Sequence, residues 1–406
     1  MISTIGAELE YHLVDKEGYL MNIAPSILSD PRGKEFCYES SNARIEINSS
    51  PCETIEEIHQ DLEERIIRLE KICEEYGTMI VPTGSEYGAG SGTQKWTPRL
   101  EAYPLIIGEH SNRLIKTISA MHAHLSQQPG RVVDQFNLFT ALDPVAYAIT
   151  STSPLSYEGK NSLNCHRINL VRNLAFNEFP LHSQLLDYVH SVEEIDGRDR
   201  EKYQQWSNRW LMRSGKPIEI FSSLFNSQNT GFSPIRKRDN FGPTGTLEVR
   251  SFDIASLDIL LAALALYKGT NDRMINENIE VSFGKDVKDR QEYSFSPKRI
   301  ILPNYHTLKN FEEKTINSGI RSDDFFNYLT SILAFAEDGL PKEDKKYLDP
   351  LKLMLTERMN PADKIMAYLK SNGHYGPTYF PEQGALATLY LRNEHLKSLG
   401  RTTPFN

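Results

Sequence analysis

Residues 246–253, TLEVRSFD, alternate in character: Glu248 and Arg250 fall on one face of an extended segment, Leu247 and Val249 on the other. A strand whose second face carries a carboxylate and a guanidinium can be a solvated edge or one wall of a site. The rest of the chain bears on that choice, because three more segments follow the same rule. Glu8 and Glu10 stand two apart in GAELEYHL, Arg44, Glu46 and Asn48 alternate with Ile45 and Ile47 in ARIEIN, and His122 and His124 stand two apart in MHAHLS. Any one such pair is usually a solvated strand face. Four in one chain, each interleaved with apolar residues, point to a single antiparallel sheet with one face on the core and the other on a cavity.

That face would carry at least four carboxylates, two imidazoles and arginines. Crowded carboxylates repel unless protons or cations neutralise them, and hard divalent cations take oxygen ligands. Glutamates with one histidine suit Mg²⁺ or Mn²⁺ better than zinc, which prefers nitrogen and sulfur.

Composition is compatible with such a metal-lined sheet. The chain has 406 residues, 39% apolar and 24% charged, with a formal net charge of −9. It can build a large core, and the acidic balance argues against a nucleic-acid partner, whose phosphates need a basic surface. Cys37, Cys52, Cys73 and Cys165 are widely spaced with no C-x-x-C, which fits neither a disulfide framework nor a zinc ribbon. Neither a leader pattern nor an apolar run long enough for a membrane span is present, so we expect a soluble cytoplasmic protein.

Between these strands the pattern predicts helices. Thr54 and Glu57 form a capping box ahead of an apolar stripe from Ile55 to Ile72, with Gly77 as the stop. Residues 79–82 read as a short buried strand, and residues 84–92 as a flexible glycine-rich loop. That loop lacks the Gly-Lys-Ser/Thr of a phosphate loop. Further helices are expected at 104–119, 138–150, 183–193, 200–213 and 255–269, and in the C-terminal part at 323–337, 349–358, 361–371 and 382–398. Residues 217–240 give few signals; Arg236, Lys237 and Arg238 read as a loop cluster able to hold phosphates.

In chain order, GAELEYHLVD, ESSNARIEINSSPC, MHAHLS, ALDPVAYAITSTSPLSYEG and GTLEVRSFDIASLDILLAALAL resemble glutamate–cysteine ligase family 2, a group of carboxylate–amine ligases with a glutamine-synthetase-like catalytic fold. The resemblance covers residues 5–265, with 160–240 outside the matching motifs. It implies an α+β fold: a curved, largely antiparallel sheet with helices on one face in residues 1–300, and a helical C-terminal region, 301–406, packed on it. It also implies ATP as co-substrate and two Mg²⁺ sites, one of Glu8, His122 and Glu248, the other of Glu10, Glu39 and Glu46. Arg250 would face the transferred phosphate and His124 the nucleotide phosphates, with Glu46 and Glu248 essential to turnover. Glutamate is the expected acid, and cysteine or another amino compound the amine. The chain departs from the family at PTGSEYGAGSG, where members often carry a G-T-H-P-like segment, so either substrate could differ. A phosphagen-kinase-like transfer and a non-catalytic Mg-nucleotide-binding protein would use the same face. The C-terminal helices could close the site, form a homodimer or bind another protein.

Overall fold

The computed structural model describes residues 3–158, 163–283 and 293–401. The polar-apolar alternation becomes one seven-stranded sheet: β1 (Ile5–Val14), β2 (Cys37–Tyr38), β3 (Arg44–Asn48), β4 (Met79–Val81), β5 (Ala120–Ser126), β6 (Ile235–Arg238) and β7 (Thr246–Asp253). The order is β2-β3-β1-β5-β7-β6, with β4 paired to the end of β1. Every pairing is antiparallel. The fold is therefore the expected α+β type.

Leu9, Tyr11, Ile45, Ile47, Met121, Leu125, Leu247 and Val249 are all fully buried and belong to one core. That core is closed by the helices Ile55–Glu75, Val132–Thr150 and Leu257–Asn276. The first of these has the expected capping box, in which the Thr54 side chain accepts from Glu57 N and Glu57 reaches back to the cap. Burying such a stripe stabilises the helix far more than its intrinsic propensity does.

The C-terminal helices join the same core through Leu308, Phe311, Tyr328 and Ile332. Asp323–Gly339 crosses Leu257–Asn276 where Gly269 and Gly339 face each other, and a Cβ at Gly339 would strike the Gly269 carbonyl. Pro381–Ser398 is tied to Ile55–Glu75 by a buried Arg392–Glu70 pair, with Nη2 donating to Oε2 at 2.8 Å. None of the described helices is long and apolar enough to cross a membrane.

A second, smaller core stands over part of the polar face. Tyr103, Ile106, Phe176, Trp206, Trp210 and Phe221 build it from the helices Pro98–Ile107, Val192–Ser214 and Ile218–Leu224 and from the turns around residue 170. Its inner wall turns the polar face of the sheet into a cavity.

Several local expectations are corrected. Residues 183–191 are not helical: Asn137 captures the backbone of Val189, donating to its carbonyl at 2.8 Å and accepting from its N–H at 2.9 Å. Those groups are thereby withheld from a helical ladder, and a single helix begins at Val192. The helix expected at 104–119 starts earlier, at Pro98, and is interrupted at Gly108, whose φ is 88°. The glycine-rich loop is packed rather than exposed, with Tyr87 fully buried and its hydroxyl donating to the Thr152 carbonyl. Residues 235–238 form a strand rather than a loop. A three-stranded sheet of β8 (Glu280–Phe283), β9 (Ser294–Phe295) and β10 (Arg299–Leu302) has no counterpart in the sequence pattern.

Candidate active site

Antiparallel register places the polar residues opposite one another. Glu10 of β1 faces Glu46 of β3, Glu8 faces His122 of β5, and Glu248 of β7 lies between His124 and Arg236. Cys37 pairs with Glu46, which brings Glu39, two residues further on, over the same face. Two groups of potential ligands result. One oxygen or nitrogen from each of Glu8, His122 and Glu248, and one oxygen from each of Glu10, Glu39 and Glu46, lie within 4.8 Å of one another inside each group.

His122 Nδ1 is 2.9 Å from Glu8 Oε2 and 3.8 Å from Glu248 Oε1, and its Nε2 is 3.8 Å from Glu10 Oε1. His122 therefore bridges the two groups. Burial works to raise Glu8, but hydrogen bonds from His122 and His124 outweigh it and hold the carboxyl well below its ordinary range. Glu248 is buried too, yet Arg236 and Arg250 pull it down to about 2. Arg250 Nη1 donates to Glu248 Oε1 at 2.6 Å, and Arg236 and Arg238 lie 3.6 and 3.5 Å from Oε2.

The second group behaves in the opposite way. Burial and the Glu10 charge raise Glu39, while burial with Glu39, Glu8 and Glu10 pushes Glu46 up to about 10. Its cationic neighbour is Arg44, 3.4 Å from Glu10 and 3.7 Å from Glu39.

Both groups open into a cavity of about 480 Å³ that also exposes Arg236, Arg238 and Arg250 on the sheet side. On the far side of Glu8 a second cavity of about 560 Å³ is lined by His124, Asn48, Gln127 and the turn Phe241–Gly245. His124 stacks on Phe241 with centroids 5.3 Å apart, and the Arg238 guanidinium covers the same ring at 4.4 Å. The expected site residues thus divide: His124 faces the second cavity, Glu8 lines both, and the others line the first.

Whether the carboxylates fit divalent cations can be judged from the donors. Six side chains, five of them carboxylates, supply a hard, oxygen-rich set. Glu248 Oε2 is buried and accepts no hydrogen bond from a described residue. Burial, with the charges of Glu39, Glu8 and Glu10, raises Glu46, a cost that a cation would relieve. The residues fit.

The sequence profile of glutamate–cysteine ligase family 2 matches residues 4–296. The chain belongs to that family. It is accordingly an ATP-dependent ligase that joins a carboxylate to an amine. A protein of Gloeobacter violaceus bearing the name glutamate–cysteine ligase 2 is 23% identical to this family member over 287 residues, 65% of this chain and 68% of that one. Among solved structures, the glutamate–cysteine ligase of Francisella tularensis in complex with AMP superimposes with a TM-score of 0.53 at 13% identity, covering 98% of this chain and 93% of that one. The bifunctional glutathione synthetase of Pasteurella multocida gives 0.54 at 10% identity over 98% of this chain and 52% of its own. These two likenesses concern the fold.

Two arginines outside the ligand groups also line the first cavity: Arg44, which the ARIEIN alternation had already placed on this face, and Arg167, which no pattern marked. Arg44 reaches across Glu10 and Glu39 to the Ile118 carbonyl; its spacing two before Glu46 was the available signal. Arg167, in a region without clear periodicity, donates to the carbonyls of Arg250 at 2.9 Å and Ser251 at 3.2 Å. It fixes the backbone that presents Arg250.

Proposed function

We propose that this ligase uses Mg²⁺ or Mn²⁺ held by Glu8, His122 and Glu248 and by Glu10, Glu39 and Glu46, and that its leading substrates are glutamate as acid and cysteine as amine. The observation that carries the metal assignment is the pair of ligand groups on neighbouring strands beneath Arg250. When bound, such ions neutralise phosphate charge and orient the attacking and leaving oxygens. Glu8 lines both cavities, so the nucleotide is assigned to the side of His124 and Phe241 and the acid to the side of Glu10, Glu39 and Glu46.

The acid's carboxylate attacks the γ-phosphate of ATP, ADP leaves, and the amine displaces phosphate from the resulting acyl phosphate to form an amide. Such transfer needs positioning and charge neutralisation and no protein nucleophile. Arg250, held by Glu248 and Arg167, places its guanidinium where charge spreads over the transferred phosphoryl group. Arg236 and Arg238 add positive charge beside it, on the edge toward the nucleotide. Within this reading residues 1–300 form the catalytic unit and 301–406 brace it. All four cysteines are free thiols, which suits a reducing cytoplasm.

The test is ADP release with ATP and Mg²⁺ while acids and amines are scanned singly and in pairs, followed by mass spectrometry. ADP only with a pair, and a product one water lighter than the pair, supports the reading. A phosphorylated product without an amide would replace it with a phosphotransferase, and no ADP with any pair would sink it.

A further inference from the structure

The first cavity is lined by eight cationic side chains. Six are in ion pairs with buried or half-buried carboxylates: Arg44 with Glu10 and Glu39, Arg167 with Asp253, Arg172 with Asp143, and Arg236, Arg238 and Arg250 with Glu248. Lys95 and Arg99 are in no ion pair with a described residue. Lys95 Nζ lies 3.5 Å from the centre of the Tyr38 ring, and Arg99 gives one N–H to the Asn229 carbonyl at 3.0 Å while its guanidinium covers Phe225 at 5.1 Å.

Their placement is built. Thr93 accepts from Asn42 N at 2.8 Å and Lys95 N donates to Ser40 O at 3.3 Å, so residues 93–95 run antiparallel beside the segment that carries Glu39. From there the chain alternates: Lys95, Thr97 and Arg99 line the cavity, while Trp96 and Pro98 are exposed. Thr97 then caps the helix Pro98–Ile107, its side chain accepting from Leu100 N. The cap holds Arg99 in the first turn, pointing inward with Leu100 and Tyr103.

Two cations without carboxylate partners, beside a cluster of acids and above an apolar wall, suit an anion brought by the ligand. Burial lowers the Lys95 pKa, and the charge of nearby Glu39 offsets this only in part. We propose that Lys95 and Arg99 clamp the non-reacting carboxylate of the acid substrate, so that the ligase selects an amino acid with two carboxylates over one with a single carboxylate. This rests on the ligase reading. The reacting carboxylate would lie among Glu10, Glu39 and Glu46, and the second would turn to the Lys95–Arg99 segment that starts beside Glu39. That segment closely follows residues 82–92, the stretch where this chain lacks the G-T-H-P-like pattern.

The test is calorimetric titration of L-glutamate and of 4-aminobutanoate, which is glutamate without its α-carboxylate, into the full chain with Mg²⁺ and a non-hydrolysable ATP analogue. We expect the unaltered protein to prefer glutamate by about tenfold or more, as for a charge-assisted hydrogen-bonded pair. Lys95→Gln and Arg99→Gln should each bring the ratio to within about threefold, and Arg99→Lys should restore part of it. Unchanged ratios in both variants, no preference in the unaltered protein, or no glutamate binding would overturn the clamp. Measuring ADP release in parallel separates the two readings. Glutamate binding that depends on Lys95 and Arg99, with no ADP formed with any amine, keeps the clamp and sinks the ligase. ADP formation without discrimination between the two acids does the reverse.

Discussion

Glu8, His122 and Glu248 lie within one strand spacing of Glu10, Glu39 and Glu46, yet the two groups solve the problem of buried charge in opposite ways. In the first, two imidazoles and three arginines surround the carboxylates, and both acids stay ionised in the folded chain. In the second, Arg44 pairs with Glu10 and Glu39 but not with Glu46, and burial with mutual repulsion drives Glu39 and Glu46 toward the protonated form. The first group is charged by its protein neighbours; the second stores repulsion that only a proton or a cation relieves. Equal geometry therefore does not mean equal roles in stability.

The largest effect should be shared by both groups. Glu248→Ala and Glu46→Ala are each expected to cut ADP release by at least about a thousandfold, the scale of losing charge stabilisation at the reacting group, while the circular-dichroism spectrum stays unchanged. Full turnover in either variant would remove that residue from the site. Conservative substitution then pulls the two apart. Glu248→Gln leaves Arg236, Arg238 and Arg250 without their carboxylate and should cost about 3 kcal/mol or more in urea unfolding. Glu46→Gln, measured without divalent cations, should instead raise Tm by about 2–4 °C. Shifts of the same sign would erase the contrast.

Glu86 gives the comparison a reference, because it is a buried acid outside both groups. Burial, offset in part by Arg44 and a hydrogen bond from Gly92, raises it to about 7 from an ordinary 4.5. Below pH 4.5 it is protonated in both the folded and unfolded chain. As pH climbs from 4.5 to 7 only the unfolded chain ionises readily, so stability falls by about 3 kcal/mol and then levels off. Glu86→Gln should flatten stability across that window; an unchanged slope would assign the pH dependence elsewhere. The smallest effect concerns the nucleotide side. Phe241→Ala removes the ring stacked on His124 and should raise KM for ATP about threefold to tenfold with KM for the acid unchanged. A rise confined to the acid's KM would reverse the assignment of the two cavities.

Strand periodicity made the sheet face legible, because a period of two fixes which residues share a side before any pairing is known. Ile45, Ile47, Leu247 and Val249 marked the core face as plainly as Glu46, Glu248 and Arg250 marked the other. The strand Ile235–Arg238 escaped notice because three of its four residues are basic; Arg236 and Arg238 turn to Glu248 while Lys237 turns to Asp196 and Asp239. Residues 183–191 misled for a different reason. Their apolar spacing suits a helix, but a side chain 52 positions away in sequence takes the backbone groups. Lys95 and Arg99 were hidden because their role depends on which cations have partners, and pairing is a property of the assembled sheet.

One irregularity in β7 has its own consequence. Between Met121 and Ala123 the partner strand advances from Phe252 to Val249, so Arg250 and Ser251 together stand opposite His122. Beyond that point the buried side of β7 changes from Leu247 and Val249 to Phe252 and Ile254. Loss of a single residue here would rotate everything downstream by half a repeat, turning Phe252 into the cavity and a polar neighbour into the core. A surface loop absorbs an insertion or deletion by rerouting. In β7 the spacing between the bulge and the strand end is fixed, because it decides which face Phe252 takes.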